Sequence, residues 1–258
     1  MNQQGKNLFR LNTIEKNDIV ETIKFDLVVG NPPFGTKGLS PLISSYCKKY
    51  GFAQEQVLPF LHKATKFSPE GDIALIFNTK VLTNNSPSYL KFREWLFNSC
   101  YVDRIYNFSI LRNAPENYGG KLFSSSSSPI CIVFYRTNIP TNPSKKIIYY
   151  APKTFIKSNV LDGVVIDDFD VSYLSREECQ KPNTKIWKLA MWGGEGDINL
   201  INKLLSQKEN NVKQFMKKHS IKSGVGFGIF NSKEEKTKPV ISKELSKIQY
   251  LDANCITR

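Results

Sequence analysis

The sequence predicts an α/β fold built around a mainly parallel sheet. Short apolar runs recur at Phe25–Gly30, Ile73–Phe77, Tyr101–Phe108 and Ile130–Tyr135, and they are rich in β-branched and aromatic residues. Segments with helical spacing separate the first three runs. Alternation of this kind implies parallel strands joined by right-handed crossovers.

Each element follows in order. Phe25-Asp26-Leu27-Val28-Val29-Gly30 reads as a buried parallel strand, stopped by Asn31-Pro32-Pro33. Residues Phe52 to Phe67 carry Val57, Phe60, Leu61 and Ala64 on one side of a helix. Ser68-Pro69-Glu70-Gly71 is a turn, and Ile73–Phe77 is a second buried strand. Pro87 starts the next helix, with Ser86 as its N-cap and Leu90, Trp95 and Leu96 as its apolar face. Tyr101–Phe108 and Ile130–Tyr135 are the third and fourth strands. A polar stretch with Gly119-Gly120 and the run Ser124–Ser128 joins them as a loop. No helix lies between these two strands, so they are free to pair antiparallel at the end of the sheet. Lys146–Tyr150 is a candidate further strand. The polar residues 137–145 mark a boundary, giving one domain over 1–150 and a linker with a second region over 151–258.

Composition narrows the function classes. No apolar run approaches the roughly 18 residues that span a membrane, and residues Met1–Arg10 contain no signal-peptide core. A soluble cytoplasmic protein is expected. Cys47, Cys100, Cys131, Cys179 and Cys255 are scattered and form no C-x-x-C pair, so reduced thiols are expected and no metal site. The formal net charge of +13 favours a polyanionic partner. The chain is also rich in Lys, Asn and Ile, which an AT-rich genome alone would produce, so charge by itself is weak evidence.

The sharpest signal is Asn31-Pro32-Pro33-Phe34, placed directly after a strand. In open α/β sheets ligands sit beyond the carboxyl ends of strands. Two prolines fix φ and stiffen the loop, so its carbonyls are held without further ordering cost. Methylation of an exocyclic amine needs such groups. The amine lone pair is delocalised into the base, and two acceptors on its N–H groups favour a more tetrahedral, nucleophilic nitrogen. The Asn31 side-chain oxygen and the Pro32 carbonyl are acceptors of that kind. Phe34 can stack on a base extracted from a duplex. The competing reading is a proline-rich turn with no chemistry.

Phe25 to Gly35 resembles the catalytic motif of the amino-group DNA methyltransferases of restriction–modification systems, with type I modification subunits and type IIG enzymes closest in flavour. The resemblance continues through the Gly71 turn and its strand, the Tyr101–Asn107 strand, and Leu122-Phe123 to Tyr135. It extends to Ile186–Asp197, which is similar to the passage into the family's target-recognition region. It implies a Rossmann-like methyltransferase fold, of which this chain holds the catalytic half. It also implies S-adenosylmethionine as methyl donor, double-stranded DNA as substrate and a flipped adenine as acceptor of an N6 methyl group.

The family places a Gly-rich cofactor loop upstream of the catalytic motif. Only thirty residues precede Asn31, too few for that loop and its flanking strands. The resemblance leaves Asp18 as the match to the acidic cofactor residue, beside Asn31. The late cluster Gly224-Val225-Gly226-Phe227-Gly228 follows no buried strand and reads as a turn. The chain then reads as an adenine-N6 DNA methyltransferase that is a split gene, a decayed fragment, or one subunit of a pair whose partner supplies the cofactor half. The alternatives are an inactive DNA-binding fragment and a methyltransferase of protein glutamine or RNA, whose motif often carries Tyr at the fourth position.

Remaining features are weighed against plain structural roles. Lys217, Lys218 and Lys222 either contact phosphates or form a solvated face. His62 and His219 read as packing or surface residues. Trp187 and Trp192 read as core, and Asp167, Asp168 and Asp170 as a solvated loop. The absence of a Pro-Asp dipeptide disfavours a metal-dependent nuclease.

Overall fold

The computed structural model describes residues 24–33, 35–113, 128–153, 165–207 and 211–221. The chain divides into two units, Met1–Ser206 and Gln207–Arg258. In the first unit the apolar runs become strands β1 (Leu27–Gly30), β2 (Asp72–Asn78), β3 (Tyr101–Asn107) and β4 (Ile130–Arg136). Two more follow, β5 (Lys146–Tyr150) and β6 (Val171–Ser175). They form one sheet in the order β1-β2-β4-β3-β5-β6. β1 runs parallel to β2 and β3 parallel to β5, whereas β4 is antiparallel to both β2 and β3.

The expected α/β class and the antiparallel pairing of the third and fourth strands are present. The pair is not terminal, however. The crossover from β2 to β3 skips one strand position, and β4 returns into that gap. The sheet also continues past residue 150, because β6 pairs antiparallel with β5. Arg176 fixes the return: its guanidinium donates to Ser144 O at 3.0 Å and to Val102 O at 2.9 Å. The first unit runs to Ser206.

The helices of this unit are α1 (Pro41–Tyr50), α2 (Val57–Phe67), α3 (Lys80–Thr83), α4 (Pro87–Ser99), α5 (Arg176–Gln180), α6 (Lys185–Trp192) and α7 (Glu195–Ser206). The second unit holds α8 (Val212–Lys218). α1 begins at Ser40, whose hydroxyl accepts from Ile43 N, with Pro41 in the first turn. It ends at Gly51, in the left-handed region at φ 69°. α4 begins at Pro87 as expected, but Ser86 makes no side-chain cap bond. Of the expected face, Leu96 is buried and Trp95 is partly buried against the core, whereas the fully buried face is made by Tyr89, Phe92, Arg93, Leu96 and Phe97. The run Ile186–Asp197 spans most of α6 and the start of α7.

The core lies on the side of the sheet that carries Val28, Ile73, Leu75, Val133, Ile105 and Tyr149, packed against α1, α2 and α4. The alternate residues point the other way. There Leu27 is 58% and Val29 62% exposed, so β1 is buried on one face only, contrary to the expected strand buried on both. Parallel strands need cover on both faces, and among the described residues the helices pack on the Val28 side. The uncovered side carries an aromatic row in which Tyr106 stacks on Tyr150 at 4.3 Å and meets Phe134 edge-on at 5.6 Å.

Gly71 illustrates how tightly the edge of this core is drawn. A Cβ there would sit 2.2 Å from Asp26 O. The close approach lets Asp72 N donate to Asp26 O at 2.8 Å and Ser68 Oγ to Phe25 O at 2.8 Å, which registers β2 against β1. Cys47, Cys100, Cys131 and Cys179 are buried free thiols, and Cys255 lies outside the described residues. Among the described residues no helix is long and apolar enough to cross a membrane.

Candidate functional site

The loop Asn31-Pro32-Pro33 leaves the carboxyl end of β1, where a parallel sheet presents its ligand sites. Pro32 is buried and Asn31 and Pro33 are exposed, so the ring of Pro32 anchors the loop and the Asn31 amide faces outward. Phe34 lies outside the described residues. The segment beyond it is pinned to the start of α2, where Gln56 N donates to Gly35 O at 3.1 Å and Gln56 Nε2 to Lys37 O at 3.4 Å.

A buried charge stands beside that anchor. Glu55 is fully buried, pairs with Lys80 Nζ at 2.9 Å, and accepts a hydrogen bond from the Tyr89 hydroxyl. Burial first, and then the Glu55 carboxylate, hold the Tyr89 hydroxyl far above its ordinary range. Lys80 follows the end of β2, so the pair links the pinned end of the loop to the neighbouring strand.

A polar chain runs along the same carboxyl edge. Thr79 Oγ1 lies 2.8 Å from Ser109 Oγ and 3.3 Å from Cys131 Sγ. Asn107 Oδ1 accepts from Ser109 N at 2.9 Å and from the Ser109 hydroxyl, and Asn107 Nδ2 donates to Tyr149 Oη at 2.6 Å. Every link is buried, and together they tie β2, β4, β3 and β5 at one end. Burial pushes the Cys131 thiol up to about 12, against the opposing hydrogen bond from Thr79, so it is a neutral packing group. Sequence reading missed this chain, because each member is a lone polar residue at a strand end, distant in sequence from the others.

A cavity of about 160 Å³ opens beyond the ends of β3 and β5, lined by Asn107, Ser109, Pro152, Lys153, Met191 and Trp192 among others. Trp192 is 76% exposed, which corrects the expectation that it is core, whereas Trp187 is fully buried and stacks on Phe97 at 4.8 Å. Their large apolar rings suggest that both lie inside. They are five positions apart on α6, so they point to different sides.

The other sequence-derived residues fall as follows. Asp18 and Lys222 lie outside the described residues, as does Gly224–Gly228. Lys217 and Lys218 occupy the last turn of α8, exposed, in the second unit. The acidic cluster is not wholly solvated. Asp167 caps a single 3₁₀ turn, and Asp170, 5% exposed, accepts from Lys153 N at 3.0 Å. His62 is a packing residue: Tyr46 Oη lies 2.7 Å from its Nδ1 and Trp95 meets it at 4.5 Å. Burial, with Lys66 nearby, lowers it to about 4.

Among the described residues, Asn31 stands exposed at the carboxyl end of β1. The glycines next in sequence, Gly35 and Gly38, have open space where a Cβ would stand, so neither is wrapped around a ligand-shaped cradle.

Residues 2–114 match the model of the Eco57I restriction-modification methylase family. Three solved structures are similar. One belongs to a study of complex assembly and conformational transition in a type I restriction–modification system (19% identity, TM-score 0.48). That similarity covers 82% of this chain and 47% of the other. The second is the type IIG restriction endonuclease BpuSI (15%, TM-score 0.45, 66% and 22%). The third is the type I methyltransferase subunit from Streptococcus thermophilus (16%, TM-score 0.45, 68% and 40%). The chain thus spans about half the length of the first of these and less of the others. No curated protein matches it.

Proposed function

We propose that this chain, whose residues 2–114 carry a restriction–modification methylase segment, acts in site-specific DNA adenine-N6 methylation as the modification component of such a system. The observation that carries the reading is the Asn31-Pro32-Pro33 loop, rigid, anchored through Pro32 and presenting Asn31 outward at the carboxyl end of β1. S-adenosylmethionine, when bound, would supply the methyl group, and Asp18 and Asn31 are the residues assigned to its neighbourhood. Asn31 Oδ1 and the Pro32 carbonyl accept the two N–H groups of the adenine amine. They thereby localise its lone pair and disperse the positive charge that develops on nitrogen. Phe34 stacks on the flipped base, whose extraction costs a few kcal/mol. Lys217, Lys218 and Lys222 contribute phosphate contacts in the second unit.

A second reading, in which a partner subunit completes the enzyme, is favoured by Leu27 and Val29, which are more than half exposed on the side of the sheet opposite the described helices. A soluble cytoplasmic location accords with both. The test is methyl transfer from labelled S-adenosylmethionine by the chain purified from its native cells with whatever accompanies it. Duplex DNA, RNA and release-factor protein are offered as acceptors. Label in DNA adenine is expected, and label in RNA or protein alone overturns the assignment.

A further inference from the structure

The exposed side of α6 and the adjoining cavity together form a surface that the loop at Asn31 does not use. Lys185, Lys188 and Trp192 are all exposed and recur at intervals of three and four residues, so they share one stripe of the helix. From the first to the last is about 10 Å along the axis. Lys185 is held in place, its Nζ donating to Asn202 Oδ1 at 2.6 Å across to α7. At the far end Trp192 stands at the mouth of the cavity beyond β3 and β5. Across that cavity Lys153 is fixed, its backbone N bound to Asp170 and its Nζ donating to Ala151 O at 3.2 Å. Asn107 and Ser109 add polar groups to a lining that is otherwise mainly apolar.

We infer that this stripe is a second DNA contact: Lys185 and Lys188 take consecutive phosphates of one strand, and Trp192 stacks on a nucleobase at the mouth of the cavity. The inference rests on the proposed action on DNA and adds a binding surface within the first unit. Charge decides the occupant. Two lysines on the stripe, a third across the cavity and an overall charge of +13 complement a polyanion. An exposed indole supplies the sequence-tolerant stacking that single bases use. The stripe lies on the unit whose carboxyl edge also carries Asn31, so a strand engaged there stays on the reacting side of the sheet.

The test is the affinity of the full chain, as a function of salt, for duplex DNA that carries a short single-stranded gap. The proteins are wild type, the double variant Lys185→Gln/Lys188→Gln, and Trp192→Ala. All three positions are exposed, and unchanged circular dichroism and melting verify the fold. Loss of two phosphate contacts lowers the magnitude of the log K against log salt slope by about 1.8. Trp192→Ala weakens binding by about tenfold and leaves the slope unchanged. Variants that match wild type in both slope and affinity overturn the inference while leaving the methylation reading intact. A change confined to the lysines refutes the stacking site. Failure of the wild type to bind DNA at all overturns both.

Discussion

His62 ties the pH dependence of stability to one packed side chain. It sits among Tyr46, Tyr50, Phe52 and Trp95, with ring centroids 4.4 to 5.8 Å away. Burial, with a smaller contribution from Lys66, lowers its pKa from 6.5 to about 4. The folded chain therefore binds a proton less readily than the unfolded chain. Its contribution to stability is fully present above 6.5, falls as the pH drops, and is lost by about 4. At about 1.36 kcal/mol per pH unit, with solvent screening of a half-buried ring as a discount, the full loss is at most about 3 kcal/mol, and between pH 7 and 5 it is about 2 kcal/mol. Other groups titrate in the same range, so the assay is a difference. Urea unfolding is measured at pH 7 and pH 5 for wild type and for His62→Phe, which keeps an aromatic ring in the cluster. Wild type should lose about 2 kcal/mol more than the variant over that interval. Equal losses in the two proteins would refute the assignment of a neutral, half-buried imidazole.

Gly71→Ala places a Cβ against the Asp26 carbonyl, where backbone has to move. A loss of about 1–3 kcal/mol in chemical denaturation is expected, as for other overpacked sites. Asn107→Ala removes the group that joins Ser109 to Tyr149 at the carboxyl edge. It should cost about 1–3 kcal/mol, read from the urea midpoint at unchanged m-value. Arg93→Met abolishes two bonds at 2.8 Å, to Val81 O and Asn84 O, that close the end of α3. Thermal melting should show a comparable loss. Asn31→Ala, at an exposed residue, should leave stability within about 0.5 kcal/mol of wild type while abolishing methylation.

The legible parts of the fold are those where one physical signal dominates. β2 and β4 hold continuous apolar runs and α2 carries a strong apolar stripe at helical spacing, so their patterns survive without tertiary context. α1 escaped notice because only Ile43 and Cys47 of its ten residues are buried, although Ser40-Pro41 is a sound start signal. β6 escaped for a similar reason: Leu174 is its single buried residue, and pairing with β5 makes it a strand. The position of β4 depends on which gap a crossover leaves, and no local pattern records that. At the candidate site, Asn31-Pro32-Pro33 was legible because covalent stiffness and a preceding strand are both local. The chain through Thr79, Ser109, Asn107 and Tyr149 was not, because it joins residues that only the sheet brings together. Trp192 was misread because residue type alone suggested core, and only the helix Lys185–Trp192 shows that it lies on a different side from Trp187.

The central claim is that Asn31 acts on adenine. Its most direct test is the N6-methyladenine content of DNA from native host cells lacking the chain, complemented with either wild type or Asn31→Ala. Any partner subunit is then present throughout. The account predicts that the modified base is lost on deletion, returns with wild type, and stays absent with Asn31→Ala although that protein accumulates folded. Unchanged N6-methyladenine in the deletion, or full recovery with Asn31→Ala, would contradict it.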